Sequence, residues 1–225
     1  MPVILQKKLY KGKKISMLKN YTKDRNKVIR QINVTKIDYD DEYVNQRYNN
    51  YPTGEAMAYL RLGYLLGVLN KFKPNKILDV GYGNGDFLKV ASKAIDFCCG
   101  SDIEPMYPLP GYIETVKNLY KDKYDVVCFF DSLEHFDDIY EISKLRTKYI
   151  YISVPECHYF SDEWFNSWKH RRKNEHLWHF NLESLTLFFA DIGYEIINYS
   201  DVEDIIRTPQ EDGVSNILSA VFRKI

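Results

Sequence analysis

Residues 76–88, KILDVGYGNGDFL, form the stretch that decides the fold. The apolar run 77–80 lies between Pro74 and Gly81, as expected of a short strand that is buried on both faces. A strand that turns on glycine into a helix exposes backbone N–H groups and lets a ligand approach the main chain. The stretch therefore predicts a nucleotide-binding turn. The apolar residues at helical spacing after the turn are Phe87, Leu88, Ala91, Ala94 and Ile95.

The spacing of the glycines distinguishes two kinds of nucleotide site. A dinucleotide fold has G-x-G-x-x-G and an acid about 20 residues later. This chain has G-x-G-x-G at Gly81, Gly83 and Gly85, and Asp79 lies inside the strand before them. A carboxylate there repels a pyrophosphate but accepts hydrogen bonds from a cationic or amino-bearing ligand. Residues 79–85 resemble the first motif of class I S-adenosylmethionine-dependent methyltransferases.

The composition is that of an ordinary globular protein, with 45% hydrophobic residues, 28% charged residues and no net charge. No global field therefore favours nucleic acid or an anionic membrane. No apolar run is long enough to span a bilayer, and the first residues lack a signal-peptide core. We expect a cytoplasmic protein with no membrane partner. The four cysteines have no C-x-x-C spacing and are predicted to be reduced thiols in the core.

We predict two regions: an N-terminal extension over residues 1–52 and a methyltransferase domain over residues 53–225. Residues 1–37 carry nine Lys and two Arg against one Asp. They are either a basic arm or small β-module that contacts an anionic substrate, or a solvated surface extension; residues 28–34 have strand character. Residues 38–52 are acidic and tyrosine-rich, and lie over the cofactor or serve packing. Residues 155–180 are predicted to be a lid-like insertion.

The predicted fold class is α/β: a Rossmann-like, doubly wound sheet of about seven strands with helices on both faces. The resemblance implies that the last strand is antiparallel. Prolines interrupt the region after residue 104, where the family usually holds the adenine with an acid, so that contact is left unassigned. The predicted strands cover 77–80, 97–102, 124–131, 148–155, 194–199 and 216–222, and the predicted helices cover 55–70, 86–95, 138–146 and 181–192.

Two further blocks extend the resemblance. Asp102 ends the second strand 17 residues after Gly85, where it can accept hydrogen bonds from ribose hydroxyls, and residues 100–105 resemble the second motif. Residues 124–135 resemble the fourth motif of the small-molecule branch (type 11 and type 23 domains), in which a strand ends in Asp and continues into Leu-Glu-His. The resemblance assigns S-adenosylmethionine binding to Asp79, Gly81, Gly83, Gly85, Asp102 and Asp131.

Two histidines are predicted to be catalytic. Methyl transfer from a sulfonium is an in-line displacement, so the protein positions the acceptor and accepts its proton, a task suited to imidazole. His135 follows the fourth-motif strand, and His176 lies in a block that resembles the family's His…Leu…Gly-aromatic pattern. The alternative for residues 134–135 is capping of the following helix.

The insertion supplies most of the predicted acceptor contacts. Its aromatics could cover an acceptor and its Arg pair could bind a phosphate or carboxylate, or else the segment is a surface helix that buries two tryptophans. We predict no metal, because only His176 and His179 have an ordinary ligand spacing. The predicted substrate-binding residues are Glu134, His158, Arg171, Arg172 and His179.

The sequence thus predicts methyl transfer from S-adenosylmethionine to an oxygen or nitrogen of a small molecule, for example a sugar or a phosphorylated metabolite. Nucleic-acid acceptors are disfavoured, since the chain has no Asp/Asn-Pro-Pro-Tyr motif and no Pro-Cys nucleophile. Two alternatives remain open: an NAD-dependent oxidoreductase, and a non-catalytic nucleotide-binding module that retains the fold.

Overall fold

The computed structural model describes residues 19–35, 54–103, 105, 107–207 and 213–225. A seven-stranded sheet forms its centre, in the order β5-β4-β3-β6-β7-β10-β9, and a three-stranded sheet has the order β1-β2-β8. The strands are β1 (Tyr21–Lys23), β2 (Ile29–Gln31), β3 (Lys76–Val80), β4 (Phe97–Ser101), β5 (Glu114–Thr115), β6 (Lys123–Phe130), β7 (Arg146–Pro155), β8 (Trp178–His179), β9 (Tyr194–Ser200) and β10 (Ile217–Lys224).

The large sheet confirms the predicted α/β class and its antiparallel final strand. The pairs β3–β4, β3–β6, β4–β5 and β6–β7 are parallel, so their carboxyl ends meet at one edge. Strand β10 inserts between β7 and β9 and is antiparallel to both. Its first six residues are buried, as a central strand requires, and only its last two are exposed.

Helices cover both faces of this sheet. They are α1 (Gly54–Leu69), α2 (Asp86–Ala91), α3 (Asp162–Ser167) and α4 (Leu182–Asp191), together with 3₁₀ helices η1 (Leu133–His135), η2 (Ile139–Lys144) and η3 (Val202–Ile205). One hydrophobic cluster joins the sheet to α1 and α2, and a second joins it to η2 and α4. The chain therefore has the three layers that a doubly wound sheet needs.

Helix α1 fits its predicted span within one residue at each end, whereas the helix predicted over residues 138–146 is the 3₁₀ helix η2. Asp138 caps η2 by accepting a hydrogen bond from the Tyr140 amide at 2.9 Å. Helix α2 ends at Ala91 because the next turn is closed by shorter-range bonds, such as that from the Lys93 amide to the Val90 carbonyl.

The small sheet joins the N-terminal part of the chain to the insertion. Ile29 pairs with His179 and Arg30 with Trp178. A third buried cluster, whose members are given at the end of this paragraph, lies beneath this pairing. Val28 packs in the hydrophobic cluster that joins the large sheet to η2 and α4, which is the main core. The strand character predicted over residues 28–34 corresponds to the shorter β2, while residues 1–18 and the tyrosine-rich stretch predicted over 38–52 lie outside the described residues. The third cluster consists of Tyr21, Ile29, Cys157, Tyr159, Phe165 and Trp168.

The insertion contains one short helix, α3, and its three tryptophans turn inward. Trp168 and Trp178 are buried, and Trp164 packs against the third cluster. All four cysteines are free and buried, as predicted. Within the described ranges, no helix has both the length and the apolar character needed to cross a membrane.

Candidate functional site

The glycine turn after β3 has a backbone that ordinary residues rarely adopt. Gly81, Gly83 and Gly85 have φ angles of 78°, 55° and 75°. A Cβ atom on Gly81 would lie 2.7 Å from the Cβ of Ser132, and one on Gly85 would lie 2.7 Å from a methyl carbon of Leu109. The turn therefore requires glycine for two reasons: its backbone is left-handed, and neighbouring side chains leave no room for a Cβ atom at Gly81 and Gly85.

Two carboxylates flank this turn. Asp79, within β3, is 2% exposed, and its Oδ1 atom has no hydrogen-bond partner among the described residues. Burial, together with the negative charge of Asp102, raises the pKa of Asp79 to about 7, although Arg61 acts in the opposite direction. Asp102 accepts a hydrogen bond from the Gly83 amide at 3.0 Å, which fixes its carboxylate beside the turn.

Asp131, at the end of β6, lies in a buried ion network. Its φ of 51° is left-handed, and its carboxylate accepts hydrogen bonds from Arg61, at 3.2 Å, and from Arg207. Burial opposes its ionisation, but the guanidiniums of Arg207 and Arg61 outweigh burial and lower the pKa of Asp131 to about 2. Asp131 is therefore an anion held by two cations.

Glu203, in η3, completes the network. Arg61 donates two hydrogen bonds to it, at 2.7 and 2.9 Å, and Arg207 donates one at 2.9 Å. The Glu203 side chain is fully buried, and the two guanidiniums keep its pKa low despite that burial. This network joins α1, the end of β6 and η3 at the carboxyl edge of the sheet.

Glu134, His135 and His176 come together beside this network. The Leu177 amide donates a hydrogen bond to the Glu134 carbonyl at 2.8 Å, which holds the end of the insertion against η1. The rings of His135 and His176 meet edge to face with centroids 4.7 Å apart. One ligand-type atom from each of the three side chains lies within 4.8 Å of the others.

Charge is disfavoured on the two buried members of this group. Burial, and next the negative charge of Asp131, raise the pKa of Glu134 well above its usual value. Burial, followed by the neighbouring His135 and Arg172, lowers the pKa of His176 well below its usual value. Glu134 is 1% exposed and neither of its carboxylate oxygens has a hydrogen-bond partner within the part of the chain that is described.

The other predicted acceptor residues lie apart from this group. His158 stacks on Phe160 and its Nε2 lies 2.9 Å from the Ser215 carbonyl. His158 lines an open groove of about 560 Å³, which Glu156, Phe160 and α4 residues also line but no predicted cofactor residue does. His179 is buried among aromatic rings of the third cluster, where burial lowers its pKa to about 3.

The two arginines of the insertion point to different partners. Arg171 donates to the Asn166 side chain at 2.7 Å and lies over the rings of Tyr21 and Phe165. Arg172 donates to Glu175 at 2.8 Å, near His176. Because they diverge, they do not form one anion-binding pair in this structure, and the acceptor role of each residue stays a prediction.

Arg61, Glu203 and Arg207 were not singled out from the sequence. The sequence does contain a pattern that points to Arg61. Ala58, Leu62 and Leu65 recur at helical spacing and form a buried face of α1, and the charged side chain of Arg61 lies next to that face. Glu203 and Arg207 lie in a polar connection before β10, and no local pattern distinguishes them from solvated loop residues.

Comparison with known proteins identifies the family. A family model described as a methyltransferase domain matches residues 55–199, more than half of the chain. No curated protein matches the sequence.

Several solved structures share the fold. A methyltransferase in complex with the Trm112 activator of Haloferax volcanii has a TM-score of 0.60 at 13% identity, covering 84% of this chain and 99% of that chain. The plantazolicin methyltransferase BpumL, in complex with a monoazolic substrate analogue and SAH, has a TM-score of 0.56 at 16% identity, with 82% and 90% covered. A methyltransferase from Mesorhizobium loti, described as S-adenosylmethionine-dependent, has a TM-score of 0.53 at 14% identity, with 73% and 98% covered.

The family match and the sheet topology agree with the resemblance seen in the sequence. The antiparallel strand β10 distinguishes this sheet from that of a dinucleotide-binding fold. The family match favours a methyltransferase over the NAD-dependent oxidoreductase that the sequence analysis left open. The chain belongs to the methyltransferase-domain family, whose class I members use S-adenosylmethionine as methyl donor.

Proposed function

We propose that this protein transfers a methyl group from S-adenosylmethionine to an oxygen or nitrogen of a small molecule. The observation that carries the proposal is the turn of three left-handed glycines at the carboxyl end of the central strand β3. The cofactor is assigned to this place because the turn lies beside two carboxylates, Asp79 and Asp102, and because the orphaned Oδ1 of Asp79 needs a hydrogen-bond donor. Asp102, held on Gly83, is the residue proposed to hold the ribose.

The acceptor is proposed to bind on the β6 side of the turn. Ser132 packs against Gly81, so Glu134 and His135 follow two and three residues after a residue that contacts the glycine turn. The cofactor supplies an electrophilic methyl group on a sulfonium. The chain's own task is to align the acceptor atom, exclude water and take up a proton as the new bond to carbon forms. His135 and His176 are the proposed proton acceptors.

A small acceptor, such as a sugar or a phosphorylated metabolite, agrees with the charge of the chain. Net charge is zero, whereas binding along a nucleic acid depends on neutralising several phosphates. Arg172, beside the His176 site, is the cation proposed to meet an anionic group of such an acceptor. These properties support a compact acceptor over a polymer.

A thermal-shift comparison tests the cofactor. We expect S-adenosylhomocysteine to raise the melting temperature and NADH to leave it unchanged, because binding to the folded state alone stabilises that state. The Asp102→Ala variant should lose most of the shift, whereas Asp137→Ala, which changes an acid outside the proposed cofactor site, should keep it. Stabilisation by NADH alone would contradict the proposal.

A labelling experiment tests the acceptor class. The protein is incubated with S-adenosylmethionine carrying a deuterated methyl group and a cell extract that has been separated by size into metabolites, nucleic acids and proteins. We expect the label in the metabolite fraction, on oxygen or nitrogen by mass spectrometry. Label confined to the nucleic acids or proteins would overturn the small-molecule assignment while leaving the cofactor assignment intact.

A further inference from the structure

Three side chains with metal-binding atoms converge between η1 and the end of the insertion. Glu134 offers a carboxylate oxygen, and His135 and His176 each offer an imidazole nitrogen, with these atoms within 4.8 Å of one another. The three are separated by up to 42 positions along the chain, so the fold rather than local sequence brings them together. The hydrogen bond from the Leu177 amide to the Glu134 carbonyl holds the end of the insertion, which carries His176, against η1.

Two members of the group, Glu134 and His176, are buried with side-chain atoms that are not satisfied by hydrogen bonds within the described part of the chain. Both oxygens of Glu134 and the Nδ1 atom of His176 are buried without a hydrogen-bond partner in the described ranges. Leaving a buried polar atom unpaired is unfavourable, and the two side chains that carry these three atoms belong to the same group. A bound cation would satisfy all three.

The surroundings of His176 resemble those of a metal ligand. Its Nε2 atom lies 3.8 Å from Glu175, and Glu175 in turn accepts a hydrogen bond from Arg172 at 2.8 Å. Metal-bound histidines commonly present their second nitrogen to a carboxylate, which fixes the tautomer and the ring. His176 therefore has a carboxylate near its Nε2 atom, while its Nδ1 atom has no hydrogen-bond partner among the described residues.

We propose that Glu134, His135 and His176 bind a divalent transition-metal cation. Two imidazoles and one carboxylate suit Zn²⁺ or Mn²⁺ better than Mg²⁺, which prefers an all-oxygen shell. Ligand atoms about 2.1 Å from a metal in tetrahedral geometry lie about 3.4 Å from one another. Side-chain rotations that move each atom by roughly 1 Å would therefore bring the three ligand atoms, now within 4.8 Å of one another, to that separation. Three protein ligands leave positions open for water or a substrate oxygen.

The location gives the cation a role at the acceptor, an assignment that rests on the proposed function. Ser132, which contacts Gly81, precedes Glu134 by two residues. With both imidazoles bound to it, the metal would take over the role proposed above for His135 and His176: it would bind an acceptor hydroxyl and lower its pKa, so that the proton leaves to water before the oxygen's electron pair attacks the methyl carbon. The carbon–sulfur bond then breaks, and its electron pair stays on sulfur. The prediction from sequence that no metal binds is revised accordingly.

Calorimetry with the chelator-treated full chain tests the site. We expect one Zn²⁺ or Mn²⁺ per chain, at least tenfold tighter than Mg²⁺. Glu134→Gln, which preserves side-chain size, and His176→Ala should each weaken binding at least tenfold, because each removes a ligand. The matched control is Glu141→Gln, which makes the same change on an exposed acid of η2 outside the group and should bind metal as the unaltered chain does.

Binding of S-adenosylhomocysteine is measured on the same samples. Circular dichroism reports the folding of each variant, and His135→Ala provides a further ligand removal should another variant not fold. Absence of stoichiometric metal binding, or binding kept by all folded ligand variants, overturns the metal site. If S-adenosylhomocysteine binds in that case, the proposed function stands; if the metal binds but S-adenosylhomocysteine does not, the metal site stands and the cofactor assignment fails.

Discussion

At the scale of single residues, Asp79 shows how burial converts an ordinary carboxylate into a pH-sensitive group. It lies in a central strand, 2% exposed, with one oxygen unsatisfied by the described residues. Burial makes its charged form costly, and its pKa rises from 3.8 to about 7. A ligand that donates hydrogen bonds or brings positive charge reverses that preference. Under the proposed function, Asp79 would link proton release to cofactor binding.

We predict that affinity for S-adenosylhomocysteine rises about tenfold from pH 6 to pH 8. Below pH 7 the unliganded Asp79 is protonated and must ionise when an amino-bearing ligand binds, whereas above pH 7 it is already ionised. Calorimetry across this range measures the slope. Asp79→Asn should flatten it, and an unchanged slope in this variant would assign the dependence to another group.

The same group predicts how stability without cofactor depends on pH. Because the folded-state pKa is raised, the folded chain favours the proton, and stability is lost as pH rises from about 4 to about 7. The loss is at most about 4 kcal/mol at pH 8. Urea denaturation should therefore show Asp79→Asn to be more stable than the unaltered chain at pH 8 and equal to it near pH 4. Equal stabilities at both pH values would contradict this.

At the scale of elements, the turn between β3 and α2 is constrained both by its backbone and by its packing. Each glycine has a left-handed backbone, and Gly81 also lacks room for a side chain. The exposed face of α1 offers the opposite case, since a Cβ on Gly67 would meet no atom within 4 Å. The same substitution should therefore have opposite effects at the two positions.

We predict that Gly81→Ala destabilises the protein by about 1–2 kcal/mol from backbone strain alone, with a further cost from the contact with Ser132. It should also weaken binding of S-adenosylhomocysteine by about tenfold or more. Gly67→Ala should instead stabilise α1 by about 0.5–1 kcal/mol and leave binding unchanged. Thermal denaturation and calorimetry compare the two, and equal effects would remove the special role of Gly81.

The pairing of β2 with β8 makes the N-terminal segment part of the folded unit. Val28 is fully buried in the main core, whereas Val34 is 39% exposed. We expect Val28→Ala to cost about 2 kcal/mol, from lost burial and a cavity, and Val34→Ala to cost less than about 0.5 kcal/mol. Urea denaturation distinguishes them. A negligible cost at Val28 would mean that residues 19–35 do not contribute to the core in solution.

At the scale of the whole molecule, the ion network connects segments far apart in sequence. Arg61 comes from α1, Asp131 from the end of β6, and Glu203 and Arg207 from the connection before β10. Glu203 is fully buried and the Arg61 and Arg207 side chains are 12% and 13% exposed, so these three depend on their partners to offset the loss of hydration, while Asp131 is 34% exposed. The network therefore couples the packing of α1 to the edge of the sheet that carries the candidate site.

We predict that Arg61→Leu costs about 3 kcal/mol, at the low end for a broken buried pair because Arg207 still contacts Glu203. Glu203→Leu should cost a similar amount. The double variant should lose less than the sum of the two, because it leaves no uncompensated charge from that pair. Denaturant unfolding of all four proteins gives the coupling, and strictly additive losses would show that the two side chains act independently.

Local pattern explains how much of the fold was predictable. The apolar runs at 77–80, 124–131 and 148–155 can be buried only as central strands, and the spacing of Gly81, Gly83 and Gly85 requires a turn at the end of the first run. Helix α1 follows its apolar periodicity closely. The helix predicted over residues 138–146 became a 3₁₀ helix because its short segment carries too little periodic apolar surface to decide between the two forms.

The sequence by itself determined the sheet, the glycine turn and the family, because strand burial and left-handed glycines depend on residues that are neighbours in the chain. The tertiary structure alone decided which distant groups meet. It brought Arg61 and Arg207 onto Glu203, separated Arg171 from Arg172, and set His176 against Glu134. The physical reason is that the energy of a buried charge or an unsatisfied carboxylate depends on its partners in space, and sequence spacing does not specify those partners.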